Sequence, residues 1–220
     1  MVYGNQFLRL VKNSQFKMKI AIIDYGMGNI YSVKSALKHL GFDSFLTNSI
    51  DEILSSNKII LPGVGSFRLA MQNIKKLKLD KILNQAVIEE KKPILGICLG
   101  MQLLGFSSDE DGYTEGLNFF DGIVNKFDNN SLKIPHIGFN NVKKCFNSKL
   151  MKDIEDLSDF YFVHSYRMKT KIVNGISFCD YGEKFVAAFE KDNIFGTQFH
   201  PEKSQLLGLK LIENFLNFDK

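Results

Sequence analysis

Tryptophan is absent from this chain, cysteine occurs three times in 220 residues, and no apolar run reaches the length of a bilayer span. Each shortage excludes something. Cys98, Cys145 and Cys179 are odd in number and unrelated in spacing. They form no disulfide framework and point to a reducing, cytoplasmic setting. No C-x-x-C pair or histidine cluster has zinc-ligand spacing, so neither a metal nor a cofactor is expected. Without a long apolar run there is no membrane segment to place. The net charge of +4 does not build a nucleic-acid groove, because three of those charges are Arg9, Lys12 and Lys17 in an acid-free stretch, residues 1–17. That stretch lacks the continuous apolar core of a secretory signal. It reads as an N-terminal extension upstream of Met18, disordered or not native. A targeting or docking tail is the other reading. With no internal repeats, 18–220 is expected to be one domain.

At 45% hydrophobic and 24% charged residues, the remainder has the balance of a globular chain. Short apolar runs alternate with amphipathic stretches, the pattern of a βαβα unit. Strands are predicted at Lys19–Ile23, Ser44–Leu46, Lys58–Leu61 and Pro93–Ile97, each nearly all apolar, as a buried parallel sheet requires. Ile30, Val33, Leu37 and Leu40 recur at helical spacing up to Gly41. A second helical region is predicted from Phe67 to Glu90, broken near Leu77–Asp80. Ser107–Asn118 reads as a surface loop. Further strands are expected at Ile123–Phe127, Asn141–Lys144, Phe160–His164, Ile176–Cys179, Phe185–Glu190 and Ile194–Phe199. A helix follows from Ser204 to Asn217, with Leu207, Leu211 and Phe215 forming one stripe, joined by Ile212 and Leu216.

The richest segment is Pro93-Ile94-Leu95-Gly96-Ile97-Cys98-Leu99-Gly100-Met101-Gln102. An apolar strand runs into Gly-x-Cys-x-Gly, the pattern of a nucleophile elbow with cysteine in place of serine. The helix behind such a turn aims N–H groups at the sulfur and favours thiolate. Thr197-Gln198-Phe199-His200-Pro201-Glu202 ends another strand with a histidine and a carboxylate two residues apart. A carboxylate on one imidazole nitrogen leaves the other to face the thiol, so Cys98, His200 and Glu202 read as a triad. Cys145 and Cys179 have no such context. Pro62-Gly63-Val64-Gly65 is either a plain tight turn or a loop offering backbone N–H groups to an oxyanion, with Leu99 N–H as the second donor. It lacks the spacing and lysine of a P-loop. His164, before Ser165-Tyr166, reads as a core histidine unless its strand end lines the same cleft.

Gly-Ile-Cys-Leu-Gly-Met-Gln with a distant His-Pro-Glu resembles the class I glutamine amidotransferases. Three more segments narrow the resemblance to glutaminase subunits of imidazole glycerol phosphate synthase: Asp24-Tyr25-Gly26-Met27-Gly28-Asn29, Leu61-Pro62-Gly63-Val64-Gly65-Ser66-Phe67 and Phe162-Val163-His164-Ser165-Tyr166. The resemblance spans Lys19 to Phe218. It implies a flavodoxin-like α/β fold, a mostly parallel central sheet with helices on both faces, that hydrolyses glutamine to glutamate and ammonia. It implies further that the ammonia passes to a (β/α)8 cyclase partner in a heterodimer that serves histidine biosynthesis. By the same resemblance Cys98 is the nucleophile, His200 the proton carrier and Glu202 its orienting carboxylate. Val64 and Leu99 supply the oxyanion donors, and Gly63, Gly65, Gln102, Ser165 and Tyr166 surround the substrate. One departure stands out. The family pattern Pro-His-x-Gly-Trp-Asn is here Pro135-His136-Ile137-Gly138-Phe139-Asn140, in a segment that faces the partner. Phenylalanine keeps the aromatic contact and loses the indole N–H. It leaves open a paralogous group that supplies ammonia for acetamidino sugars of surface glycans. A non-catalytic scaffold and a stand-alone glutaminase are the remaining alternatives.

Overall fold

The computed structural model describes residues 18–128 and 133–219; the proposed extension at 1–17 lies outside the described residues. A seven-stranded sheet forms the centre. Its strands are β1 (Ile20–Ile23), β2 (Ser44–Thr47), β3 (Lys58–Leu61), β4 (Ile94–Ile97), and, later in the chain, β11 (Ile176–Asp180), β12 (Lys184–Lys191) and β13 (Ile194–Thr197). Their spatial order is β11-β12-β13-β4-β3-β1-β2. From β13 to β2 every pairing is parallel, and β12 and β11 add an antiparallel edge.

The strands β1, β3 and β4 are largely apolar because both faces of the sheet are covered there, whereas the edge strand β2 is only partly buried. Ile20, Ile22, Ile60 and Leu95 point to one side. There they meet α1 (Ile30–His39) through Val33 and Leu37, and the C-terminal helix α6 (Gln205–Leu216) through Leu211, Ile212 and Phe215. Ile23, Ile59, Leu61 and Ile94 point to the other. They pack on α2 (Ile50–Ser55), α3 (Phe67–Lys76) and α4 (Leu79–Leu83) through Ile53, Phe67, Ala70, Ile74 and Leu83. Burying one such side chain contributes roughly 1.5–3 kcal/mol, so the two apolar layers set which way each strand faces.

The predicted break near Leu77–Asp80 is present. Lys78 adopts φ 58°, and the chain restarts as α4 before a π-helical segment, Asn84–Glu89, that periodicity did not foresee. Other expectations need correction. Of the stripe expected on α6, Leu211, Ile212, Phe215 and Leu216 are buried, whereas Leu207 stays 37% exposed. Gly208 occupies the inner face there because it rides on the Pro201 carbonyl. Ser107–Asn118 is not wholly loop: β5 (Ser107–Ser108) and β6 (Thr114–Glu115) join β7 (Ile123–Lys126) and β10 (Tyr166–Lys169) in a small sheet. The strand expected at Asn141–Lys144 is β8 (His136–Val142), antiparallel to β9 (Ser158–His164); Lys143 makes only an isolated bridge to Phe178.

Candidate active site

In the sheet β4 lies between β3 and β13, all three parallel. Their C-terminal ends therefore emerge side by side, about 5 Å apart. Those ends are Pro62-Gly63-Val64-Gly65, Cys98, and Gln198-Phe199-His200, the edge at which open α/β sheets bind ligands.

Cys98 sits at φ 55°, ψ −110°, a conformation that costs a non-glycine residue on the order of 1–3 kcal/mol. It is held by the 2.7 Å bond from its N–H to the Thr197 carbonyl and by α5 (Leu99–Leu103), which starts immediately behind it. The flanking glycines are required by closeness. A Cβ on Gly100 would run into the Leu61 carbonyl, and one on Gly63 would meet Gly100 N and Leu99 Cβ at 2.8 Å. The elbow and the β3 loop thus lie backbone against backbone. Tyr25, fully buried, donates its hydroxyl to the Pro62 carbonyl at 2.6 Å and ties that loop down. Burial, with Cys98 close by, pushes the Tyr25 phenol well up, so it stays a donor.

His200 is 1% exposed, and its Nδ1 lies 2.8 Å from Glu202 Oε1. The backbone is fixed on both sides: His200 N–H donates to the Tyr161 carbonyl, and its carbonyl accepts from Ser204 Oγ. Among the described residues Nε2 makes no hydrogen bond of good geometry, and Cys98 is the neighbour that acts on this side of the ring. Burial disfavours the charged ring, but Cys98 and Glu202 beside it more than offset that and hold its pKa up at about 10. The imidazolium is therefore favoured wherever Cys98 is thiolate. The sulfur itself meets the Val163 carbonyl at 3.8 Å and Gln198 Nε2 at 3.7 Å.

A cleft of about 390 Å³ opens over the sulfur, lined by Val64, Gly65, Cys98, Leu99, Gln102, Glu110, Pro135, Val163, His164, Ser165 and Tyr166. Seven of the ten residues singled out in the sequence line it. Gly63 lies beneath Val64, and His200 and Glu202 stand behind Cys98. Gln102 donates from Nε2 to the Tyr166 carbonyl at 3.0 Å and to Gln198 Oε1 at 2.9 Å. His164 Nδ1 lies 2.8 Å from the same carbonyl, so both of its lone pairs are engaged within the protein.

Sequence reading missed two contributors. Gln198, fully buried, links Gln102 to the sulfur; its place in Gln-Phe-His-Pro-Glu was the available signal. Glu110 reaches the cleft from the supposed loop, anchored by the Phe67 N–H at 2.8 Å. Burial, and less so Asp111 and Asp109, raise its carboxyl against that hydrogen bond. His164 lines the cleft, as its strand end does. Cys179 is buried away from the cleft with its thiol pushed up to about 12 by burial, an inert group.

The family model for class-I glutamine amidotransferase matches residues 21–217. Over 197 residues the chain is 49% identical to "Imidazole glycerol phosphate synthase subunit HisH 1" of Campylobacter jejuni subsp. jejuni serotype O:23/36 (strain 81-176), covering 89% of this chain and 98% of that one. It is 49% identical over 199 residues to subunit HisH 2 of Methanococcus maripaludis, covering 90% and 98%. Among solved structures, PurLQS from Thermotoga maritima superposes with a TM-score of 0.65 at 21% identity, over 92% of this chain and 99% of that one. A glutamine amidotransferase from the same organism gives 0.61 at 16%, over 91% and 83%; both likenesses speak to fold. Within the described residues, no helix is long and apolar enough to cross a membrane. The chain belongs to the class I glutamine amidotransferases.

Proposed function

We propose that this chain is the glutaminase subunit of an imidazole glycerol phosphate synthase, hydrolysing glutamine and delivering ammonia to a (β/α)8 cyclase subunit in histidine biosynthesis, in the cytoplasm. The observation that carries the chemistry is the strained Cys98 elbow beside a histidine whose far nitrogen is paired to Glu202.

Glutamine enters the cleft with its amide carbon over Cys98 Sγ. Glu110 is the acidic group in that cleft for the substrate ammonium. Gln102 has both Nε2 protons engaged, which leaves Oε1 for a substrate N–H. Thiolate attack forms the S–C bond and moves the carbonyl electrons onto oxygen, where the N–H groups of Val64 and Leu99 receive them. Collapse breaks the C–N bond, and the His200 imidazolium gives its proton to the departing ammonia. Water then attacks the glutamyl thioester as His200 takes its proton. The C–S bond breaks, releasing glutamate and restoring the thiolate–imidazolium pair. Glu202 holds the ring and offsets its charge throughout.

Docking of a second subunit is supported by an apolar face on the described surface. Ile137 (59% exposed) and Phe139 (52%) project from β8, and Phe139 shares a shallow depression with Leu206 and Leu207 of α6. Phe139 is the residue that replaces the family's tryptophan, and its ring remains available for a partner.

The test is glutamine hydrolysis by purified Cys98→Ala. Turnover is expected to vanish with the circular dichroism spectrum and melting temperature close to those of the parent. Retained turnover refutes the assignment. Co-purification followed by assay with the cyclase acceptor identifies the synthase.

A further inference from the structure

His136 and His164 take no part in the proton transfers above, yet both are buried, His164 in the cleft lining and His136 against it. They face each other across the β8–β9 hairpin in register, with His136 Nδ1 and His164 Nε2 3.1 Å apart. His136 is sandwiched by ring stacking on Tyr181 at 3.9 Å and Phe162 at 4.9 Å.

The proton positions follow from either end of this pair. At the outer end the Asn140 amide is fixed: Oδ1 accepts from Asn141 N–H at 2.8 Å and Nδ2 donates to the Asp180 carbonyl at 3.2 Å. Nδ2 also faces His136 Nε2 at 3.4 Å, so that nitrogen carries a lone pair. His136 then bears its proton on Nδ1 and donates to His164 Nε2. At the inner end His164 Nδ1 lies 2.8 Å from the Tyr166 carbonyl, which can only accept. His164 therefore also bears its proton on Nδ1. The two deductions agree, and a second proton on either ring would set donor against donor. Burial supports the neutral forms by lowering His136 to about 4 and His164 to about 3.

The Tyr166 carbonyl thus accepts from His164 on one side and from Gln102 Nε2 on the other. Gln102 continues to Gln198, and Gln198 to the Cys98 sulfur. We propose that His136 and His164 are positioning residues. Locked as the Nδ1–H tautomer, they fix the Tyr166 carbonyl and through it the Gln102 amide that receives glutamine. Without the His136 donor, His164 can place its proton on Nε2, turn a lone pair toward the carbonyl and release it. The proposal rests on glutamine being the ligand of the cleft.

The tautomers are read from imidazole ¹⁵N spectra of the full-length chain at pH 7, a measurement independent of any substrate. Both histidines are expected as neutral Nδ1–H; an Nε2–H form or a charged ring at either position overturns the proposal. His136→Phe keeps the stacked ring and removes the donor, whereas His136→Asn restores an N–H at the Nδ1 position. The phenylalanine variant is expected to raise the KM for glutamine about tenfold, one hydrogen bond's worth, with kcat within about twofold. The asparagine variant is expected to recover most of that. An unchanged KM in His136→Phe, an equal loss in both variants, or a fall in kcat alone refutes positioning. If His136→Phe does not fold, the wild-type spectrum and the His136→Asn KM decide. Absence of glutamine turnover in the wild type, with the tautomers as expected, counts against the proposed substrate and not against the lock.

Discussion

Replacing Cys98 by alanine should change the titration of His200 as well as abolish turnover. The ring's pKa is held up at about 10 from its ordinary 6.5, although burial alone pulls it down. Two neighbours raise it, Cys98 first and Glu202 second. An opposite charge within a few ångströms is worth about 1–3 units, so Cys98→Ala should lower the pKa by about that amount and leave Glu202 to work against burial. Imidazole NMR titration of His200 in parent and variant measures it directly. A value unchanged within half a unit, or raised, refutes the thiolate–imidazolium pair. The stability consequence has a defined sign. A group raised on folding contributes stability fully below its unfolded pKa of about 6.5 and loses it as pH rises through about 10. The stability advantage of the parent over His200→Gln, measured in urea, should therefore shrink from pH 7 to pH 10. In Cys98→Ala the same loss should set in at lower pH.

Gly100→Ala should be severely destabilising, about 3 kcal/mol or more, because its Cβ would sit 2.7 Å from the Leu61 carbonyl carbon as well as on the oxygen; a melting temperature within two or three degrees of the parent's contradicts this. Tyr25→Phe removes the tether on the Pro62 carbonyl and, with the loop it holds proposed as the oxyanion donor, should lower kcat for glutamine with little change in KM; an effect on KM alone would assign the tether to substrate binding. A chain beginning at Met18 should fold and hydrolyse glutamine as the 220-residue chain does, which melting and turnover check together. If the Gly63–Val64 peptide presents its carbonyl rather than its N–H until a partner docks, glutamine turnover by the subunit alone should be low and rise when the cyclase and its acceptor ligand are added, since one missing oxyanion donor costs about 10²–10³ in rate; full activity in isolation refutes this gating and favours a stand-alone glutaminase.

The parallel half of the fold was legible because its strands are buried on both faces, so β1, β3 and β4 announce themselves as unbroken apolar runs. The misplacements have physical causes. In β8 the apolar Ile137 and Phe139 face outward while His136 faces in, the reverse of the pattern that marks a strand on a core. β10 escaped notice because Arg167 occupies its middle. A buried arginine contradicts hydrophobic patterning, and it is tolerated only because Asp128, Glu183 and the Asn125 carbonyl surround its guanidinium. The helix α2 has only 6 residues, under two turns, too short for periodicity to register.

For the site, the same logic separates what sequence can carry from what it cannot. Cys98, Val64 and His200 follow directly on strands that lie next to one another, so a local motif and a parallel sheet are enough to bring them together. The other wall is made by Glu110 and by His164, Ser165 and Tyr166, which arrive from the small sheet and the β8–β9 hairpin. Nothing local connects Gln102 to Tyr166, 64 residues away, or His136 to His164; only register does, and register is decided by packing. A glutamine in a helix, a carbonyl after a strand and a histidine in a hairpin each have an ordinary structural reading alone. They become one device when the Tyr166 carbonyl is found with two donors on it. The elbow and the residues proposed to surround the substrate could be named from the chain, whereas the bonds that tie Gln102 and His164 to one backbone oxygen follow only from the register that packing sets.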